Sequence, residues 1–180
     1  RGCAGSGIFI NATDKLIIAQ NLIGLCDNSG IFAITRPDRM GSGTAAENTI
    51  GNNIFARCGK SGIVFLSPKN KADGNVYVGL PNAFQGYYEG DVKQYLDLAT
   101  WRAAHGWDKT SLVTEADIAF DAETLVLTLA SRKPLPQVDI FNRIDRDMLG
   151  KATGKTRVAG PLAAPGSTHS RHVDPRQLTP

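Results

Sequence analysis

Cysteine, histidine and methionine are scarce here, with three, three and two among 180 residues. An odd set of three cysteines supplies no disulfide framework, and their spacing is not the C-x-x-C of a zinc site. No apolar run reaches the roughly 20 residues of a transmembrane helix, so no membrane partner is expected. A net charge of +3 is too mild to argue for nucleic acid. The charge is unevenly placed: residues 151–180 carry +4 and the remainder −1. Neither a Ser-His-Asp arrangement with a local motif nor a phosphate-binding glycine loop is present. Residues 1–80 contain no sustained helical period.

What the chain has instead is one phrase used three times. Residues 3–8 read Cys-Ala-Gly-Ser-Gly-Ile, residues 26–31 Cys-Asp-Asn-Ser-Gly-Ile, and residues 58–63 Cys-Gly-Lys-Ser-Gly-Ile. Each opens an apolar run, at 8–10, 31–34 and 63–66. Asn21 and Asn53 each stand five residues before a cysteine, and Asn75 continues the series. The cysteines are 23 and then 32 residues apart, the second interval being the first with nine residues added. Self-similarity at such a period marks a stacked-repeat architecture. Short runs of Ile, Val and Phe bounded by Gly, Asn, Asp and Ser read as strands and turns. The spacing therefore predicts coils of a parallel β-helix, each strand about 4.8 Å from its counterpart in the next coil. The Leu-rich consensus of leucine-rich repeats and the Gly/Asp nonapeptide of calcium-binding repeats are both absent.

Stacking assigns roles to the repeated residues. Cys3, Cys26 and Cys58 are expected to form an inward ladder of small buried side chains, a metal or redox cluster being the alternative. Asn21, Asn53 and Asn75 are expected to form an amide ladder at a turn. Nine of the ten asparagines precede residue 83, so Asn belongs to the coils.

In chain order, coils occupy residues 1–79. Residues 35–47, which contain Pro37, leave the coil as a surface loop and absorb the nine extra residues. After Gly79 the repeat ends, and residues 80–160 form a C-terminal cap. Within it, 80–95 read as an irregular crossing segment. Residues 97–105 read as a short helix, capped by Asp97 and stopped by Gly106. Strands are expected near 118–120 and 125–129, and a strand or turn at 138–144. Residues 161–180, with four prolines, read as an extended tail in which His169 and His172 are solvated. The chain opens at Arg1, two residues before a repeat phrase. It is expected to be part of a longer protein, its first coil stacking on further β-helix coils N-terminal to Arg1 or in another chain.

The same residues carry a resemblance. Asp27-Asn28-Ser29-Gly30-Ile31-Phe32, Arg36-Pro37-Asp38-Arg39 and Asn48-Thr49-Ile50-Gly51-Asn52-Asn53-Ile54-Phe55 resemble a phrase of bacterial right-handed parallel β-helix repeat proteins, the pectate-lyase-like superfamily. There an Asp-x-Gly strand precedes a Gly-Arg-Asp-type loop and an Asn-x-Ile-x-x-Asn coil. Residues 73–77 and 98–111 resemble that family's C-terminal coil and cap, so the likeness spans roughly 1–150. It implies an all-β, right-handed parallel β-helix with coils of about 23 residues and a mixed C-terminal cap containing a short helix. It also implies a secreted or periplasmic protein whose partner is a polysaccharide or oligosaccharide. Glycoside hydrolase is the first activity it implies and polysaccharide lyase the second. A non-catalytic glycan-binding or adhesive protein is the rival from another class.

Candidate chemistry follows from those activities. Glycoside hydrolysis needs two carboxyl groups flanking one bond, and Asp27, Asp38 and Glu47 are the candidates in and beside the inserted loop. Arg36 and Arg39 could bind substrate, and the aromatics Tyr87, Tyr88 and Trp107 could stack on sugar rings. The plainer roles are a Pro-Asp turn with solvated arginines, a turn aspartate at 27, and cap core for the aromatics. Hydrolysis calls for no cofactor, whereas lyase chemistry admits calcium.

Overall fold

The computed structural model describes residues 5–34, 44–80, 85–89, 91–131, 133–141, 143–163 and 168–172. Each of the first three repeats contributes three short strands. They are β1 (Ile8–Asn11), β2 (Ile17–Ala19) and β3 (Leu22–Gly24); then β4 (Ile31–Ile34), β5 (Thr49–Gly51) and β6 (Ile54–Ala56); then β7 (Ile63–Phe65), β8 (Lys71–Asp73) and β9 (Val76–Val78). Equivalent strands pair in parallel and form three sheets, β1-β4-β7, β2-β5-β8 and β3-β6-β9. This mostly-β arrangement is compatible with a parallel β-helix.

Register places like over like. Ile8, Ile31 and Ile63 share one row, Ile10, Ala33 and Phe65 a second, and Ile23, Phe55 and Tyr77 a third. From the second repeat on these side chains are almost wholly buried, and each apolar one contributes about 1.5–3 kcal/mol by leaving water. The Phe55 and Tyr77 rings stack at 5.4 Å and 13°. Partners are 23 residues apart at Ile8↔Ile31 and 32 apart at Ile17↔Thr49. The extra residues therefore enter between β4 and β5, as the cysteine spacing predicts.

Buried amides hold the turns. Asn21 N–H and Nδ2–H both donate to Asn53 Oδ1 (2.9 and 3.1 Å), and Asn53 N–H donates to Asn75 Oδ1 (3.0 Å). The remaining Nδ2 hydrogens of Asn53 and Asn75 reach Ile18 O and Ile50 O. The predicted ladder is thus present. A second column, not anticipated, runs from Leu16 N–H to Asn48 Oδ1 and from Asn48 N–H to Asn70 Oδ1, both at 2.9 Å. Ser29 and Ser61 add a hydroxyl pair at 3.0 Å. Beside the Asn columns, Gln20, Asn52 and Gly74 all have positive φ, as do Leu25, Arg57 and Gly79 at the next corner. Left-handed backbone costs a non-glycine residue about 1–2 kcal/mol. Each strained N–H recovers part of that by donating to the next coil, as Leu25 does to Ala56 O (3.0 Å) and Arg57 to Val78 O (2.9 Å).

The repeat does not end at Gly79, contrary to the reading of 80–95 as irregular. There β10 (Gln85–Glu89) pairs in parallel with β7, and β11 (Asp91–Tyr95) turns back antiparallel on it. Parallel pairing runs through the backbone and does not require the Cys-x-x-Ser-Gly-Ile phrase, so this strand left no mark in the pattern. Helix α1 (Leu98–His105) follows as predicted. Asp97 accepts from Thr100 N–H at 2.7 Å, and Gly106, at φ 68°, closes the helix by donating to Arg102 O. Leu98 and Trp101 drop from it into the core.

Next, β12 (Leu112–Thr114) adds a fourth strand to the third sheet. The hairpin of β13 (Ala116–Asp121) and β14 (Val126–Ser131) comes after it, turned by Asp121 Oδ1 accepting from Glu123 and Thr124 N–H. β15 (Gln137–Asp139) and β16 (Thr156–Val158) pair antiparallel. β17 (Thr168–His172) joins β14, so part of the expected tail is a sheet strand lying on the body. Ile118, Leu127, Leu129 and Val138 cover the outer face of the third sheet at Ile54, Ala56, Val76 and Val78. Those strands are consequently buried on both faces and lack alternation. Arg157, nearly fully buried, ties this covering unit together by donating to Arg146 O (3.0 Å) and Gly160 O (2.8 Å). Burial holds its guanidinium below the ordinary range, with Asp147 opposing.

Candidate functional site: a groove centred on Arg57

The corner of left-handed residues after the third-sheet strands faces the β13–β14 hairpin, and cavities lie between them. Three share Arg57. One, of about 460 Å³, is lined by Gln20, Leu22, Leu25, Ile118, Leu127 and Met148 among others. A second, of about 620 Å³, contains Leu25, Asp27, Gly59 and Phe120. A third, of about 310 Å³, contains Val78, Glu115, Asp117 and Ala130. The three cavities line the corner and share the exposed side chain of Arg57, and together they are called the groove below. Asp27 comes to it from the coil side, and Glu115 and Asp117 from the start of the hairpin.

Local backbone explains the placement. Arg57 sits at φ 52°, held there by its N–H on Val78 O. Gly59 makes room for the Asp27 backbone, since a Cβ at that point would lie 2.4 Å from Asp27 O. The Gly59 N–H donates to Cys26 O (2.8 Å) and fixes the same turn. Gln20, which lines the first cavity, is 7% exposed, and among the described residues neither its Oε1 nor its Nε2 has a hydrogen-bond partner. A buried donor or acceptor left unsatisfied costs about 1–3 kcal/mol, so this amide is the least settled polar group in the groove wall.

Of the residues proposed from the sequence, Asp27 reaches this groove. Glu47 is exposed at a positive-φ turn before β5 and is not among the groove's lining residues. Trp107 is not an open stacking platform: it is buried edge-on to Phe65 (5.2 Å) and stacked on His105 (4.5 Å) in the cap core. Tyr87 and Tyr88 lie on β10, and their side chains fall outside the described residues, as do Arg36, Asp38 and Arg39 entirely. Arg57, Glu115, Asp117 and Gln20 were missed. Aligning the residue after each third-sheet strand would have shown Leu25, Arg57 and Gly79 in one column, with Arg57 its only charge.

Cys26 and Cys58 belong to the core. Both are buried thiols without a disulfide. Burial, reinforced by the neighbouring Cys26, pushes the Cys58 thiol up to about 12. That is the environment of a packing residue rather than of a thiolate ligand. Cys3 lies outside the described residues. Among the described residues no three His, Cys, Asp or Glu side chains converge as a metal site would require.

One further constellation was not foreseen. Asp108 is fully buried and accepts four hydrogen bonds. Asn75 Nδ2 (3.0 Å) and Ser111 Oγ (2.5 Å) donate to Oδ1, and Tyr77 Oη (3.0 Å) and Trp101 Nε1 (2.9 Å) donate to Oδ2. Ser111 Oγ also accepts from Asn75 N–H at 2.7 Å, so this carboxylate ends the asparagine column and joins it to α1. Every Asp108 oxygen is already engaged, and the role is architectural. No family model, curated protein or solved structure matches the chain.

Proposed function

We propose that this chain belongs to a right-handed parallel β-helix enzyme, secreted or periplasmic, that cleaves a polysaccharide laid along the Arg57 groove. The observation that carries the reading is that neighbouring cavities share Arg57 and bring carboxylates from two different elements, Asp27 in one and Glu115 and Asp117 in another. Glycoside hydrolysis uses such a pair, one carboxyl protonating the leaving oxygen and the other activating water or attacking the sugar. Asp27 and Asp117 are assigned those roles, and Arg57 orients an acidic group or hydroxyls of the chain. The stacked coils supply the rigid wall that positioning requires. Arg57 also favours one second reading, elimination from a uronate, in which the guanidinium neutralises the carboxylate and a neighbouring carboxylate removes the adjacent proton. Among the described residues the groove holds one exposed aromatic, Phe120.

The test is incubation of the protein with a panel of neutral and acidic polysaccharides, followed by product analysis. Saturated reducing ends denote hydrolysis and unsaturated ends denote elimination. Asp27→Asn and Asp117→Asn are each expected to lower turnover by about 100-fold or more. Unchanged turnover in both folded variants would refute the assignment.

A further inference from the structure

The first of the three cavities differs from the others in its lining. Asp27 lines the second, and Glu115 and Asp117 line the third, but among the described residues no carboxylate lines the first. Its larger apolar residues are Leu22, Leu25, Ile118, Phe120, Leu127 and Met148, and Arg57 is its one charge among the described residues. The polar remainder offers little to a ligand. The Gln20 amide atoms are sealed from solvent, and Asn21 Nδ2 is committed to Ala19 O and Asn53 Oδ1. Burial is graded along the wall: Ile118 and Leu127 are 5% and 7% exposed, whereas Leu25 and Phe120 are 40% and 46% exposed. Leu25, Arg57 and Phe120 line the second cavity as well, so two exposed apolar residues and a guanidinium bound both. Leu25 is held at φ 55° with its N–H on Ala56 O, and the corner thereby fixes its exposed position.

Such walls suit one class of ligand. A guanidinium grips a carboxylate through two parallel hydrogen bonds, and one cation matches one negative charge. An apolar cavity of about 460 Å³ is of small-ligand size and favours an aliphatic body. A peptide or a sugar would bring several donors and acceptors to a wall that leaves them unanswered, at a cost for each buried group. We infer that the first cavity binds a small aliphatic monocarboxylate, its head on Arg57 beside Leu25 and Phe120 and its chain against Ile118, Leu127 and Met148. Binding here does not require the polysaccharide reading, whose carboxylates line the other two cavities.

Calorimetric titration of the whole protein with butanoate, hexanoate and octanoate, and with octyltrimethylammonium, tests this. Affinity is expected to rise about three- to fourfold with each methylene that enters the cavity. Octyltrimethylammonium, the same tail on a cation, should bind at least about tenfold more weakly than octanoate. Arg57→Gln should abolish that preference while keeping the gain with chain length. Leu25→Ser combined with Phe120→Ser should flatten the gain while keeping the preference. All three replaced residues are exposed, and circular dichroism checks that each variant is folded. Undetectable octanoate binding, no gain with chain length, or equal affinity for octanoate and octyltrimethylammonium in the wild-type protein overturns the inference, whether or not any polysaccharide is cleaved. The wild-type series decides the matter even if a variant fails to fold.

Discussion

Replacing Asp108 by alanine tests the architecture most severely. The substitution strips the acceptor from four donors at once, and Asn75, Tyr77, Trp101 and Ser111 are all buried. At about 1–3 kcal/mol per orphaned buried donor the ceiling is about 4–12 kcal/mol. Two effects reduce it. Removing a buried carboxylate relieves its own desolvation, worth several kcal/mol, and the Ser111 and Tyr77 hydroxyls can rotate toward new acceptors. The indole of Trp101 and the amide of Asn75 have no such freedom. A net loss of about 4 kcal/mol is expected, a large share of the roughly 5–15 kcal/mol by which domains are stable. For a chain of this length it corresponds to a melting temperature lower by about 8–16 °C. Asp108→Asn keeps one oxygen and should lose about half as much. Urea unfolding followed by far-ultraviolet circular dichroism and tryptophan fluorescence reads both variants, since Trp101 and Trp107 lie in contact at 5.0 Å. A loss below about 1 kcal/mol for the alanine variant would show that the four bonds do not anchor the cap, and the reasoning would fail.

Two further predictions concern the coils. Asn53→Ala leaves the Asn21 N–H without its acceptor and Ile18 O without its donor. It should cost about 3 kcal/mol by urea unfolding, and a change within about 0.5 kcal/mol would mean the ladder is ornamental. Cys58 holds its proton up to about 12 when folded, against an ordinary 9.0. Its contribution to stability is therefore complete below about pH 9 and lost as pH rises toward 12. At about pH 8.5, alkylation mapped by peptide mass should spare Cys58 in the folded protein and label it after denaturation. Equal labelling in both states would contradict the buried placement.

The parts of the fold legible in the sequence were those that stacking repeats. Ile31 and Ile63 face the core in the same way, and so do Asn53 and Asn75, so identity at equivalent positions exposed both rows. Positions where stacking asks only for backbone pairing stayed hidden. The Gln85–Glu89 strand extends the first sheet without the phrase, and Thr168–His172 pairs with β14 although its composition suggests a tail. Asp27, which lines one of the Arg57 cavities, stood out because it lies inside the repeated phrase. Arg57 did not, because its corner holds Leu25, Arg57 and Gly79, three residues that share a positive φ and no chemistry. Asp108 stands in the cap, where its partners Tyr77 and Asn75 are more than 30 residues away in sequence, beyond any local pattern. Trp107 was open to two readings, a sugar platform and cap core, and its burial fits the second.

The change of offset between β4 and β5 has a consequence of its own. The spacing of paired residues jumps from 23 to 32, yet Asn48 and Asn53 still meet Leu16 and Asn21 in the same way that Asn70 and Asn75 meet them one layer on. The molecule counts turns rather than residues, and each asparagine acts as an index pin that returns the chain to phase whatever length came before it. By Ala45 and Ala46, both buried, the chain is already back in the stack, with Asn70 Nδ2 donating to Ala45 O and Lys15 N–H to Ala46 O. The nine added residues therefore leave the pitch of the scaffold unchanged, for β5 stacks on β2 and β8 on β5 in the same register.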